Sequence, residues 1–173
     1  MPPATIGEMI QRIPPMTRFF ILGVLLSAFA TSNGVVAPQH LVLHYGDLFK
    51  KLKLWTFFTT FFYGGGFGQG FVWLLLSIYF TFTRVDEYYK QRRPDQMFMI
   101  LFSMFSCALV SYLYNKVSPQ GEYYTLLHQF IMCILWISCK LEPTVNVNIY
   151  GIFTIASGYL PFLYLVYDML SGQ

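Results

Sequence analysis

Long apolar stretches alternate with short polar gaps along this chain, and nearly all charged residues lie in the gaps. An α-helix rises about 1.5 Å per residue, so about 20 apolar residues cross a hydrocarbon core about 30 Å thick. A charged side chain at the middle of a bilayer costs about 2.5–3.5 kcal/mol on insertion scales, which explains the confinement of charge to the gaps. The pattern predicts an all-α polytopic membrane helical bundle with about five transmembrane helices.

Four or five stretches meet this length criterion, and we treat five as spans. Their approximate bounds are 17–36, 67–82, 96–114, 123–138 and 149–170. An aromatic tract at 55–63 is too short to be counted with them. Because short loops use most of the remaining residues, we expect a single domain covering 1–173.

Composition and charge agree with the membrane interpretation. The chain is 55% hydrophobic and only 11% charged, whereas soluble domains contain roughly 25% charged residues. The net charge of +3 is spread over several loops, so it indicates membrane topology and not a nucleic-acid surface. An N-terminus on the inner side places seven of the eleven Lys and Arg residues on that side: Arg12, Arg18, Arg84, Lys90, Arg92, Arg93 and Lys140.

Metal and cofactor chemistry is weakly supported by the sequence. Cys107, Cys133 and Cys139 all lie inside apolar stretches, which is typical of small buried hydrophobic residues. His40 and His44 have helical i, i+4 spacing but lack the intervening Glu of a zincin motif and a nearby third ligand. The glycine-rich segment 64–70 lacks the Lys-Ser/Thr end of a phosphate loop. We therefore expect no metal, no cofactor and no small-molecule substrate.

Several short motifs occur in the order found in Derlin proteins, the non-proteolytic branch of the rhomboid-like superfamily. They include Ile-Gln-Arg-Ile-Pro-Pro-Met-Thr-Arg from Ile10, Leu54-Trp55, Gly70-Phe71, Arg93-Pro94-Asp95, Trp136, Glu142-Pro143, Gly151 and Tyr159-Leu160-Pro161-Phe162. The chain resembles this family over nearly its whole length, from residue 6 to about 170. The resemblance implies a rhomboid-like fold in which spans two and five flank a lateral opening for client proteins.

Two departures from the family pattern stand out. The Trp-Arg pair of the family's first loop is Trp55-Thr56 here, which removes a fork-shaped cation. Derlins continue into a sixth span with a Gly-His-x-Tyr-x-Phe stretch and a tail that recruits an ATPase, and this sequence contains neither. We expect a five-span bundle to be incomplete unless another subunit fills the gap.

Catalytic and packing candidates are few. A rhomboid protease needs a Ser nucleophile between glycines and a later His base, but Ser138 has no flanking glycines and no His follows His128, so we expect no peptidase activity. His128 and Asp168 are the ionisable residues inside spans, and we expect both to lie near the membrane surface. Gly66 and Gly70 form either a small helix face or a turn that leads into span two. The full set of helix-packing or interface candidates is Trp55, Gly66, Gly70, Trp136, Gly151 and Pro161.

Two functions remain open at this point. The first is a non-catalytic accessory subunit of a larger membrane complex, with a respiratory or ATP-synthase assembly of the mitochondrial inner membrane as one candidate host. The second, implied by the resemblance, is a role in the endoplasmic reticulum membrane, where Derlins help to move misfolded proteins to the cytosol within a ubiquitin-ligase assembly. Both predict an integral membrane protein whose partners are other membrane-protein subunits and lipids.

Overall fold

The computed structural model describes residues 13–45, 53, 55–117, 125–149 and 153–171. Within these ranges the chain forms helices α1 (Pro15–Ser32), α2 (Trp55–Thr59), α3 (Gln69–Tyr88), α4 (Arg93–Val117), α5 (Leu127–Leu141) and α6 (Leu160–Ser171). Two 3-10 turns lie at Pro38–His40 and Ser157–Tyr159, and strands β1 (Asn146–Ile149) and β2 (Phe153–Ala156) form one antiparallel pair.

Four of the predicted stretches coincide with helices α1, α3, α4 and α5. By length and composition, α1 and α4 could each cross a membrane. Helix α3 continues past the predicted end at residue 82 to Tyr88, so the charged residues that we expected to follow the span belong to its last turns. Helix α5 has 15 residues and extends three residues beyond the predicted end at 138.

The fifth stretch differs from the prediction. We expected helix from residue 149, but residues 146–149 pair with 153–156 in antiparallel register, with Asn146 opposite Ala156 and Ile149 opposite Phe153. Helical structure resumes only at Ser157, and α6 has 12 residues, or about 18 Å of helix. The stretch is rich in β-branched residues, which suit a paired strand as well as a helix. Since the outer edges of a two-stranded pair need water, this pair belongs at the membrane boundary and not in the hydrocarbon.

An aromatic cluster occupies the centre of the bundle. Phe20 of α1, Phe82 of α3 and Phe130 of α5 are each at most 2% exposed, and the ring centroids of Phe20 and Phe82 are 4.4 Å apart. Phe61, which follows α2, closes the cluster with its ring centroid 5.3 Å from that of Phe130. Phenyl rings in offset and edge-to-face arrangements fill space without leaving polar atoms to satisfy, so this cluster fixes α1, α3 and α5 relative to one another.

Four of the nine buried polar side chains that the structure describes gather at one end of the bundle. The start of α1, the end of α3, the start of α4, the end of α5 and the turn Ser157–Tyr159 meet there. We call this region the polar end and define it by Thr17, Arg84, Asp86, Arg93, Gln96 and Ser157. At the opposite end, the backbone N–H of Leu126 donates to Thr60 Oγ1 at 3.3 Å, which ties the start of α5 to the segment after α2.

Candidate functional site

The carboxylate of Asp86 lies at the centre of the polar end. Asp86 is 1% exposed and accepts four hydrogen bonds. Its Oδ2 accepts from the backbone N–H of Thr17 at 2.9 Å and from the Thr17 hydroxyl at 2.8 Å. Its Oδ1 accepts from Arg93 Nη1 at 2.8 Å and from Gln96 Nε2 at 2.7 Å. A buried carboxylate is stable only when charge and lone pairs are matched in this way.

The sequence around α1 explains why this carboxylate is needed. The residue that precedes α1 is Pro14, and it offers no side-chain cap to the first turn. The first N–H groups of a helix have no partner within the helix and carry partial positive charge. Asp86 supplies from α3 the acceptor that the sequence of α1 lacks, and it thereby fixes the start of α1 against the end of α3.

Arg93 and Gln96 bring the start of α4 into the same network. The two residues are spaced i, i+3, so they share one face of the helix. Arg93 Nη1 donates to Gln96 Oε1 at 2.9 Å as well as to Asp86, while the Gln96 amide donates to Asp86. Gln96 is fully buried, whereas the side chain of Arg93 is 41% exposed. In this ion pair the carboxylate of Asp86 is therefore shielded from solvent, whereas the guanidinium of Arg93 is partly exposed to it.

Arg84 forms a second polar contact at this end. Its Nη2 donates to the hydroxyl of Ser157 at 2.5 Å, and its Nη1 lies 4.0 Å from the sulfur of Cys139. Ser157 and Cys139 are both buried. Arg84 therefore joins the last turns of α3 to the end of α5 and to the turn that begins α6.

Among the described side chains, one polar contact crosses between α3 and α6 farther along the bundle. The hydroxyls of Ser77 and Tyr164 are 2.7 Å apart, and the ring of His128 from α5 lies 6.0 Å from the ring of Tyr164. Trp73 and Phe80, which flank Ser77 at i−4 and i+3 on α3, are 42% and 49% exposed. We call the contact between α3 and α6 around this hydrogen bond the α3–α6 seam.

The six candidates for helix packing lie in different parts of the structure and do not form one site. Trp55 begins α2 and is exposed, and Gly66 lies in a bend before α3, where an added methyl group would meet open space. Gly70 is exposed in the first turn of α3. Because Gly66 is outside the helix, the two glycines do not form one helical face, and the turn that leads into α3 is the interpretation that fits. Gly151 lies outside the described residues.

Trp136 and Pro161 both lie where α5 meets α6. The ring of Trp136 is in edge contact with that of Phe162, with centroids 5.5 Å apart, and Lys140 lies 5.6 Å above the Trp136 ring. Pro161 is buried in the first turn of α6, a position where its missing N–H costs no helical hydrogen bond.

The closest glycine approaches involve residues that sequence reasoning missed. A Cβ added to Gly23 of α1 would lie 2.8 Å from Cε1 of Phe62, and one added to Gly64 would lie 3.1 Å from a methyl group of Leu127. The Phe62 ring is itself held against Phe20, with ring centroids 5.3 Å apart. Gly23 is therefore a site where helix α1 needs a residue without a side chain.

Ser138 and His128 lie far apart on one helix. Ser138 is buried near the end of α5, and its hydroxyl donates to the Leu135 carbonyl at 2.8 Å. His128 lies in the first turn of the same helix, so the two residues are separated by about 15 Å along the axis. Across the described ranges, no group of three or more His, Cys, Asp and Glu residues is placed to hold a metal ion.

The structure also shows what Thr56 does in the Trp55-Thr56 pair of the first loop. Thr56 stands where the resemblance expects an arginine, and it is 4% exposed, with its hydroxyl donating to the Lys53 carbonyl at 2.7 Å. A guanidinium could not occupy this buried position without rearrangement of its neighbours. The side chain here bonds to the backbone just before α2 and does not reach outward as a cation would.

One sequence signal predicts that the start of α1 needs an acceptor such as Asp86. The double proline before Thr17 predicts a helix start without a side-chain cap, and such a start needs an acceptor from elsewhere in the chain. Nothing in the sequence specifies which of the acidic residues in the polar gaps supplies it. Asp168 lies in α6, but its side chain is outside the described part of the structure.

The described helices, of which α1 and α4 are long and apolar enough to cross a membrane, form a polytopic membrane helical bundle. The model of the Der1-like family matches residues 13–173, and the chain belongs to that family. Among curated proteins, it is 26% identical to "Derlin-1.2" of Zea mays and 27% identical to "Derlin-1" of Arabidopsis thaliana, each over 96% of this chain. It is 28% identical to an uncharacterized derlin-like protein of Schizosaccharomyces pombe over 92% of this chain.

The chain spans part of each of these relatives. The aligned region covers 67% of the Zea mays protein, 61% of the Arabidopsis protein and 81% of the Schizosaccharomyces pombe protein. Derlins are in general rhomboid-like pseudoproteases. The expected membership of the Derlin family is thus confirmed.

Proposed function

We propose that this chain is a non-catalytic subunit of a membrane assembly in the endoplasmic reticulum, where its α3–α6 seam contacts hydrophobic segments of misfolded client proteins. The observation that carries the proposal is that the described side chains close this seam with one polar contact, the hydrogen bond between Ser77 and Tyr164. Membership of the Der1-like family supports the choice of organelle and of assembly, because the resemblance to Derlins implies both. A respiratory or ATP-synthase host remains a prediction from the sequence alone.

The chemistry of the seam suits transient contact with apolar polypeptide. Within the membrane a hydrogen bond between side chains contributes only about 0.6 kcal/mol on average. Around it, Trp73 and Phe80 of α3 expose 42% and 49% of their surface. A client segment could replace lipid against these side chains at little cost in free energy, because lipid tails are as apolar as the side chains of the client.

The non-catalytic part of the proposal is supported by the geometry of α5. A serine nucleophile needs a base within hydrogen-bond reach. The Ser138 hydroxyl donates to the Leu135 carbonyl, and the nearest histidine along the chain is about three helical turns away. This serine therefore contributes to the helix and not to a dyad.

Site-specific photocrosslinking tests the role of the seam. A photoreactive residue at Phe80 should crosslink to misfolded membrane clients, whereas the same residue at Phe98 should crosslink only to lipid. Phe98 is the matched control because it is a 72% exposed phenylalanine on the outer face of α4. Equal client crosslinking from both positions would overturn the assignment of the seam.

A second variant tests whether the hydrogen bond restrains the seam. Ser77→Ala removes the bond and should increase client crosslinking from Phe80. Ser103→Ala is the control, since Ser103 is a buried serine on α4 whose hydroxyl donates within its own helix to the Met99 carbonyl at 2.8 Å. An equal effect of both variants would count against a restraining role for Ser77.

Partner identification after native purification separates the two hosts. Recovery of ubiquitin-ligase components supports the endoplasmic reticulum assembly. Recovery of respiratory or ATP-synthase subunits instead would reject the proposed location and support the mitochondrial host.

A further inference from the structure

Arg84 is a half-buried cation that has no acidic partner among the residues that the structure describes. Its guanidinium contacts the neutral hydroxyl of Ser157 and the sulfur of Cys139. In the described part of the chain, no carboxylate lies within ion-pairing distance of it, since the nearby Asp86 pairs with Arg93 instead. The described part of the chain therefore does not compensate the charge of Arg84.

The guanidinium is nevertheless held in a fixed orientation. The 2.5 Å hydrogen bond to the buried Ser157 uses one N–H of the fork. The sulfur of Cys139 is a weak acceptor and leaves the remaining N–H groups with little bonding. A guanidinium carries five N–H groups in a planar fork, so those that Ser157 and Cys139 do not use can donate to the oxygens of a phosphate group.

The surroundings place this fork at headgroup depth. Arg84 lies at the end of the bundle where charged side chains meet the boundary, and Cys139 precedes Lys140 at the end of α5. Lys140 is exposed and lies over the ring of Trp136, which is 44% exposed. Exposed Trp and Lys side chains of this kind are typical of the membrane–water interface. The group with anionic oxygens that is abundant at this depth is the phosphate of a phospholipid.

We infer that Arg84, oriented by Ser157, binds the head-group phosphate of a membrane phospholipid at the polar end. Phosphate is the chemistry that the fork recognises, and the phospholipid is the source that its depth favours. Ser157 is a positioning residue in this site. The inference is independent of the proposed contact with client proteins.

Binding of phosphatidic acid to the purified full chain in detergent tests the site, with native mass spectrometry as the readout. Diacylglycerol with the same acyl chains serves as the probe without phosphate. Arg84→Gln should weaken phosphatidic acid binding about tenfold, because a charge-assisted hydrogen bond is lost. Arg92→Gln is the matched control, since Arg92 is exposed at the same end and has the same charge change; its effect should stay within about twofold.

Two further variants keep the test decisive if Arg84→Gln folds poorly. Arg84→Lys keeps the charge but removes the fork, and Ser157→Ala keeps the guanidinium but removes its anchor. Both should bind phosphatidic acid more weakly than the unmodified chain and leave the weak binding of diacylglycerol unchanged. Unchanged phosphatidic acid binding in these variants would overturn the site, and displacement of the lipid by inorganic phosphate would overturn the lipid as its ligand.

Discussion

Replacement of Asp86 by Asn tests whether the buried carboxylate holds the polar end together. The substitution keeps the size of the side chain but replaces one acceptor oxygen with a donor. Asp86 accepts two hydrogen bonds from Thr17 through Oδ2 and one each from Arg93 and Gln96 through Oδ1. The Asn oxygen can serve one of these two sides, and the other side then faces an N–H group.

The expected cost follows from the hydrogen bonds that remain unmade. Hydrogen bonds to charged groups contribute about 1.5–3 kcal/mol each, and breaking a buried ion pair costs about 3–5 kcal/mol. The side chain of Arg93 is 41% exposed, so water compensates part of its loss. We expect Asp86→Asn to lower the free energy of unfolding by about 3 kcal/mol, which corresponds to a decrease of about 6–12 °C in the unfolding temperature for a chain of this size.

Thermal unfolding in detergent, followed by circular dichroism, measures this effect. Glu87→Gln is the matched control because Glu87 is exposed one residue further along α3, and its change should stay within about 0.5 kcal/mol. Thr17→Val combined with Asp86→Asn should cost less than the sum of the single variants, since both remove the same contact. An Asp86→Asn effect no larger than that of Glu87→Gln, or strict additivity with Thr17→Val, would refute the capping role.

Three other predictions follow from packing and chemistry. Gly23→Ala should lower the free energy of unfolding by about 1 kcal/mol, because crowding against the ring of Phe62 outweighs the gain in helix propensity. Gly66→Ala should leave the free energy of unfolding unchanged, and thermal unfolding of the two variants measures the difference. Phe130→Ala should cost about 3 kcal/mol through a central cavity, against less than about 0.5 kcal/mol for the lipid-facing Phe98→Ala; equal midpoints would contradict the described core. Ser138→Ala should leave any peptide-bond cleavage in a purified sample unchanged, and cleavage that disappears with this variant would contradict the non-catalytic assignment.

The apolar pattern predicts four of the helices because a membrane leaves few alternatives for a long apolar stretch. It does not predict the paired strands before α6. A stretch such as 149–160 contains enough apolar residues for either a strand or a helix, and periodicity alone cannot separate the two when both faces are apolar. The choice depends on tertiary contacts, including the hydrogen bond from the Ser157 N–H to the Val145 carbonyl at 2.9 Å.

The polar end is less predictable for a different reason. Charges in the gaps between apolar stretches suggest solvated loops, and six of the twelve charged side chains whose burial the structure describes are exposed. Asp86 is an exception because α3 continues beyond its apolar part and carries the carboxylate under the start of α1. A sequence pattern that averages over a window cannot distinguish Asp86 from the exposed Glu87 beside it. The two residues point in different directions because successive side chains of an α-helix are rotated by about 100° around its axis.

Helix α6 is attached to the bundle very unevenly, and this bears on how the seam could open. At its base, the turn Ser157–Tyr159 is held by Arg84 and by backbone hydrogen bonds from Ser157 and Gly158 to residues 145 and 143. Farther along, the polar contact with α3 is the bond between Ser77 and Tyr164. A helix anchored strongly at one end and weakly at its middle can tilt about the anchored end when the weak contact breaks. The proposed client binding at the seam would then break the hydrogen bond between Ser77 and Tyr164, while the buried network around Asp86 keeps α1, α3 and α4 in place.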